Sequence, residues 1–209
     1  MRVLTLGGLI GPILFASVTA VCAALRPEYS HFHHFVSELG ATGTPRAWLM
    51  NFVGFVPAGL LIAGFGASVG VELPRRRLAS IGAFLICIFG GGMALSGLVS
   101  CDVGCPQVGG SVQNLMHDRI APPTFLSGSL AAISLGLAFR SMPTLRSLWA
   151  YSVASGLLGL AFLAAVASTL ESRSFTGLWQ RLLLATLLTW CAVMAIRLSR
   201  SRATGSPAA

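Results

Sequence analysis

The sequence predicts an all-α membrane protein: a bundle of six transmembrane helices, both termini cytoplasmic, with two structured extracytoplasmic loops. Three observations carry that reading. Of 209 residues, 55% are hydrophobic and only 10% charged, with a mean hydropathy of +0.80, more apolar surface than a soluble domain has interior to hide. The apolar residues gather into six runs, most of them near the roughly 20 residues that cross a bilayer core as helix. The charged residues fall unevenly between the loops that those runs define.

The spans expected are 3–25, 48–71, 78–100, 122–139, 148–170 and 179–197. Arg2 before an apolar stretch that ends in small residues also fits a secretory signal, but the stretch is too long for one, so a retained first helix is expected. Thr44 caps the second span and Pro45 takes its first position. The third follows Arg75, Arg76 and Arg77 and carries Gly90, Gly91, Gly92 and Gly97, small residues that let membrane helices approach closely. The fourth is expected to open at Pro122 and the fifth at Leu148. The sixth has a short uncharged core from Leu182 to Ile196, lengthened by Leu178, Trp179 and Gln180 at the interface and by Arg181 snorkelling outward. Together the spans make residues 1–198 a single domain, with 199–209 a polar cytoplasmic tail expected to be disordered.

Every basic residue is Arg, fourteen in all, and the net charge is +8. With the N-terminus inside, nine arginines (Arg2, Arg75, Arg76, Arg77, Arg140, Arg146, Arg197, Arg200, Arg202) share one face with Glu72 alone. The other five (Arg26, Arg46, Arg119, Arg173, Arg181) face Glu28, Glu38, Asp102, Asp118 and Glu171, which cancel them. Cytoplasmic loops accumulate Arg, which fixes the orientation. Spread over short juxtamembrane loops, these arginines belong beside anionic lipid rather than on nucleic acid.

The two outer loops, 26–47 and 101–121, hold all four His and four of the six acids. Ionisable loops over a rigid scaffold are where function concentrates. In the first, Ser30 is a good N-cap and Gly40 a good stop, so a short surface helix is expected, with Phe32, Phe35 and Leu39 toward lipid and His31, His34 and Glu38 on the next stripe. Two imidazoles a turn apart beside a carboxylate suit zinc or a related divalent metal, with Asp102 or His117 completing the shell. The competing reading makes them amphipathic side chains at headgroup depth, since no HExxH is present. Ser37 beside Glu38 reads either as a nucleophile with its base or as a cap and a solvated acid.

In the second loop, Cys101 and Cys105 lie where thiols oxidise, and their spacing allows a small disulfide loop before Pro106. Cys22, Cys87 and Cys191 are packing residues within the spans. Asp102 follows the third span and His117, with Asp118, precedes the fourth; facing each other, Asp102 and His117 could exchange a proton, orient a water or bind a cation. Asn51 and Arg181 add polar groups at similar depth, so one outward-opening pocket is expected.

Gly11-Pro12, the stretch RPEYSHFHHFVSELGATGTPRAWLMNFVGFVPAGLL from Arg26, Asp102, His117, and Gly177 with Gln180-Arg181 together resemble the bacterial and archaeal membrane family catalogued as domain of unknown function 998. Ser37 to Gly40 is the most specific part. That family is distantly similar to the six-span eukaryotic DRAM and Sfk group, linked to membrane lipid organisation and without an agreed catalytic activity. The resemblance implies a bacterial cytoplasmic-membrane protein with Ser37, Glu38, Asp102, His117 and Arg181 as a common polar core, and it lowers the weight of a three-histidine metal site.

Two functions are therefore expected as alternatives. One is a pocket that binds a membrane lipid or other amphiphile without a cofactor, with Asn51, Gln180 and Arg181 as ligand contacts. The other is a lipid hydrolase or transferase, with His117 and Asp102 as acid–base pair, Ser37 and Glu38 alongside, Arg181 on an anionic headgroup, and a zinc-like metal on His31, His34 and His117. Haem or quinone chemistry would need ligands inside the bundle, and all four His lie at one face.

Overall fold

In hydrocarbon a bare backbone N–H or C=O costs several kcal/mol, so apolar runs that cross a membrane fold as helices. The computed structural model describes residues 2–203, and within it the runs form α1 (Arg2–Ala24), α2 (Ala47–Glu72), α3 (Arg77–Leu98), α4 (Val112–Phe139), α5 (Trp149–Ser168) and α6 (Thr176–Ala203). All six are long and apolar enough to cross a membrane, and no strand occurs among the described residues. Each helix packs on its neighbours in sequence and α6 closes on α1, which makes a ring.

Polar contacts mark the two ends of the ring. At one end Thr5 donates to Glu72 at 2.6 Å, Arg76 to Ser141 at 2.8 Å and Arg197 to Ser147 at 2.8 Å. At the other, the backbone N–H of Thr42 donates to the Cys101 carbonyl at 2.8 Å, and the Ser100 hydroxyl bonds Thr42 Oγ1 at 3.0 Å and accepts from Gln113 at 3.1 Å. Between them the core is filled by Phe65, Ile62, Phe89, Ile86, Leu135, Leu183, Leu187 and Trp190. Backbones touch where glycine allows it: a Cβ on Gly59 would lie 2.5 Å from the Gly90 carbonyl oxygen, and one on Gly90 would lie 2.6 Å from that of Gly59. Close approach of this kind supplies packing energy where lipid is as apolar as the side chains.

Three elements differ from the sequence expectation. First, α4 begins at Val112, not Pro122, because Ser111 caps it by accepting the Asn114 N–H at 3.1 Å. Pro122 and Pro123 then sit inside the helix, which withdraws their N–H groups from the carbonyls of Asp118 and Arg119. Second, the stretch from Ser30 to Gly40 is not one amphipathic helix: a turn closes from His34 N–H to Ser30 O at 2.9 Å, Phe35 is extended at φ −62°, ψ 152°, and a 3₁₀ turn covers Val36–Gly40. Phe32 alone of the expected lipid face is exposed, while Phe35 and Leu39 are buried. Third, α6 continues through residues 199–203 to Ala203, and the rest of the expected tail, 204–209, lies outside the described residues.

Inside α2, Met50–Phe55 widens into a π turn. Such single turns occur frequently at functional sites, and this one holds Asn51.

Candidate functional site

The end that carries the histidines is assembled by polar side chains aimed at loop backbone. Asn51 donates to the Gly40 carbonyl at 2.8 Å, and Gln180 Oε1 accepts the Val36 N–H at 2.7 Å. Arg181 donates to the carbonyls of His34 and Gly177 at 2.9 and 2.8 Å, and to the hydroxyl of Tyr29, whose ring it also faces. Tyr29 in turn donates to the Phe35 carbonyl at 2.8 Å. Burial pushes the Tyr29 phenol up to about 12, against the opposing pull of Arg181.

Glu38 is 4% exposed. Its Oε1 accepts the Phe35 N–H at 3.0 Å and pairs with Arg173 at 3.3 Å. Arg173 also donates to the carbonyls of Gly104 and Cys105 at 2.8 and 2.6 Å and lies over the Phe35 ring at 4.6 Å. One guanidinium thus joins the two loops. Cys101 and Cys105 form a disulfide, and Cys105 Sγ lies 3.5 Å from Ser37 Oγ.

Under these loops lies a cavity of about 480 Å³ between α4, α5 and α6. Its walls are hydrocarbon: Phe35, Phe55, Phe125, Leu126, Leu163, Val166 and Leu184. Polar groups gather at its loop end, where Ser37, Gln107, His117, Asp118 and Gln180 contribute to the wall. Leu126 and Ala167, on α4 and α5, are lining residues that are themselves exposed, so the cavity opens on that flank. The opening follows from how α5 packs. Its buried residues are Ser152, Ser155, Gly156 and Gly159, and beyond Gly159 none of its described residues is buried. Gly156 lies so close to α4 that a Cβ there would meet the Ser129 carbonyl oxygen at 2.5 Å.

His117 is 5% exposed. Its Nδ1 lies 2.7 Å from the Val99 carbonyl, an acceptor only, so Nδ1 carries a proton and Nε2 is the ring nitrogen that Val99 does not engage. Asp118 Oδ2 accepts from Asn114 at 3.1 Å.

Four of the sequence-selected residues therefore meet on the cavity wall: Ser37, Cys105, His117 and Gln180. Glu38, Asn51 and Arg181 stand behind the wall as supports for the loop. Asp102 does not face His117; it accepts Ser111 N–H at 2.6 Å and Ser111 Oγ–H at 2.8 Å, bonds that hold its carboxyl below the ordinary range. The carboxylate that shares the cavity with His117 is Asp118. The early start of α4 puts it there, and the signal was the Ser111 cap followed by helix-forming residues. His31 and His34 pack against the Tyr29 ring at 5.4 and 5.5 Å, and His34 Nδ1 accepts the Ser30 N–H. Among the described residues no three His, Cys, Asp or Glu side chains converge as a metal centre requires.

The model of the family described as protein of unknown function (DUF998) matches residues 9–197. This chain belongs to DUF998. The match spans all six helices and both loops of the DUF998 chain, from within α1 to within α6. No curated protein and no solved structure matches it.

Proposed function

We propose that this DUF998 protein is a multi-pass protein of the bacterial cytoplasmic membrane that holds a lipid or other amphiphile in the cavity beneath its two loops, on the extracytoplasmic side. The observation that carries the reading is the cavity's composition: hydrocarbon walls, a polar cluster at one end only, and an exposed edge between α4 and α5. A tail would lie along the walls and a head among Ser37, His117, Asp118 and Gln180. The volume is within the range of about 300–1,000 Å³ usual for small-molecule sites. The arginine asymmetry supports the orientation.

A second reading is a lipid hydrolase or transferase, favoured by one observation: Ser37 and His117 share the wall of this cavity. Ser37 would then be the nucleophile and His117 Nε2 its base, with Glu38 and Asp102 holding the loops that position them.

The deciding experiment is a lipid and elemental mass-spectrometric inventory of protein purified in mild detergent, wild type beside Ala121→Trp and His117→Ala. Binding predicts a co-purifying amphiphile that Ala121→Trp, which fills the cavity, depletes. A wild-type protein without amphiphile, or an unchanged load in Ala121→Trp, would end the proposal. A stoichiometric metal lost in His117→Ala would replace it with a metal-assisted enzyme, and turnover of labelled lipids abolished by Ser37→Ala would establish the second reading.

A further inference from the structure

Resting on the amphiphile-binding reading, the remaining question is what head the polar end accepts. The hydrogen-bonding capacity that the fold leaves unused there decides it. Ser96 donates its proton to the Gly92 carbonyl at 2.9 Å, Gln107 Nε2 donates to the Cys105 carbonyl at 3.3 Å, and His117 Nδ1 donates to Val99. These bonds consume donors. What they leave on these lining side chains are acceptors: the Gln107 carbonyl oxygen, the Ser96 lone pairs, Asp118 Oδ1, since Asn114 occupies only Oδ2, and, on a neutral imidazole, His117 Nε2. On the donor side stands Gln180 Nε2, whose Oε1 is taken by Val36, while the Ser37 hydroxyl donates to Cys105 Sγ, a disulfide sulfur with no proton to give.

Charge points the same way. Asp118 is the acid on the wall, and among the described lining residues there is no Arg. The two arginines nearest the loops are spent elsewhere. Arg181 is held by His34 O, Gly177 O and Tyr29. Arg173 binds Glu38, Gly104 O and Cys105 O, and the Phe35 ring over which it lies is itself part of the wall. A carboxylate or phosphate head would meet the Asp118 carboxyl and bare acceptors, with no Arg among the described lining residues to offset its desolvation.

We infer that the cavity selects an amphiphile whose head donates hydrogen bonds and carries no negative charge, a hydroxyl or an ammonium on a single hydrocarbon tail, and rejects fatty acids and phosphate monoesters. The head sits between Asp118 and His117, and the tail follows Phe125, Leu163 and Leu184. An ammonium gains over a hydroxyl from the Asp118 charge.

The test is displacement of 11-(dansylamino)undecanol, which brightens in apolar surroundings, from protein in phosphatidylcholine nanodiscs. Competitors of equal tail are dodecanol, dodecylamine, dodecanoate and dodecyl phosphate. The expected order places amine and alcohol ahead of both anions by about tenfold or more, the effect of about 1.4 kcal/mol. Asp118→Asn erases the lead of amine over alcohol and narrows the gap to dodecanoate, and Asp118→Glu restores both. Anions that displace as well as the alcohol, or an Asp118→Asn protein with wild-type ranking, overturn this inference while the binding reading stands. A probe that does not bind, or that binds equally to Ala121→Trp, sinks the binding reading itself. Size-exclusion profiles of each variant establish that the ranking is read on folded protein.

Discussion

Gln180 Oε1 accepts the backbone N–H of Val36 at 2.7 Å across 144 residues of sequence, and this bond ties α6 to the loop that roofs the cavity. Val36 is 2% exposed, so its N–H has no water to fall back on. Gln180→Ala is expected to cost about 1–3 kcal/mol, the penalty for orphaning a buried donor. Gln180→Glu, which keeps the acceptor, should cost less. Thermal unfolding in detergent compares the two, and equal melting points would show that the bond is incidental.

A side chain cannot be added at Gly40. A Cβ there would stand 2.1 Å from Asn51 Oδ1, so Gly40→Ala must push away the amide that holds the Gly40 carbonyl. A loss of about 1–3 kcal/mol is expected from overpacking. Because the two sites touch, Gly40→Ala combined with Asn51→Ala should cost less than the sum of the single changes. Strict additivity in chemical unfolding would contradict the contact.

Glu38 and Arg173 form a pair in which the acid is buried and the base is partly exposed. Removing the base strands a charge, so Arg173→Ala is expected to cost up to about 3 kcal/mol. Glu38→Gln should cost less, because the amide oxygen still accepts the Phe35 N–H. If Glu38→Gln proves the more damaging in the same unfolding assay, the acid's charge matters for something other than this pair.

Alkaline pH should loosen the roof through Tyr29. Its folded value, about 12, lies above the ordinary tyrosine value of about 10, so the fold favours the protonated phenol. That stability is complete below about pH 10 and is lost as pH rises through the folded value. Titrating tyrosinate absorbance, with two tyrosines in the chain, should show a step near the folded value of Tyr29 that Tyr29→Phe removes. A Tyr29 that ionises like a free phenol would mean that its hydroxyl is open to water.

The six spans were legible because length and apolarity are local properties. So were the close-packing glycines and the concentration of polar residues at one end. The histidine that lines the cavity was identified, but not its acid partner: Pro122-Pro123 reads locally as a helix start, whereas Ser111 caps the helix earlier and carries Asp118 onto its cavity side. Phe32, Phe35 and Leu39 have the spacing of a lipid-facing stripe, yet Phe35 and Leu39 turn inward. Their burial depends on Glu38 meeting Arg173 and Val36 meeting Gln180, partners 135 and 144 residues away. Arg181 and Asn51 were recognised as polar groups at the right depth, but spacing alone could not say that loop carbonyls would claim them.

The uneven packing of α5 has a bearing on dynamics. Its first half is clamped to α4 at Gly156, while its second half buries no side chain among the described residues. Segments with few buried contacts open at a fraction of the global unfolding free energy. Of the six helices α5 is the least buried, and its second half meets the core only through partly buried side chains such as Phe162, Leu163 and Val166. Since Leu163, Val166 and Ala167 ride on that end, any bending of this half of α5 would change the width of the cavity mouth, and on the amphiphile-binding reading the thickness of the bilayer would then bear on what enters.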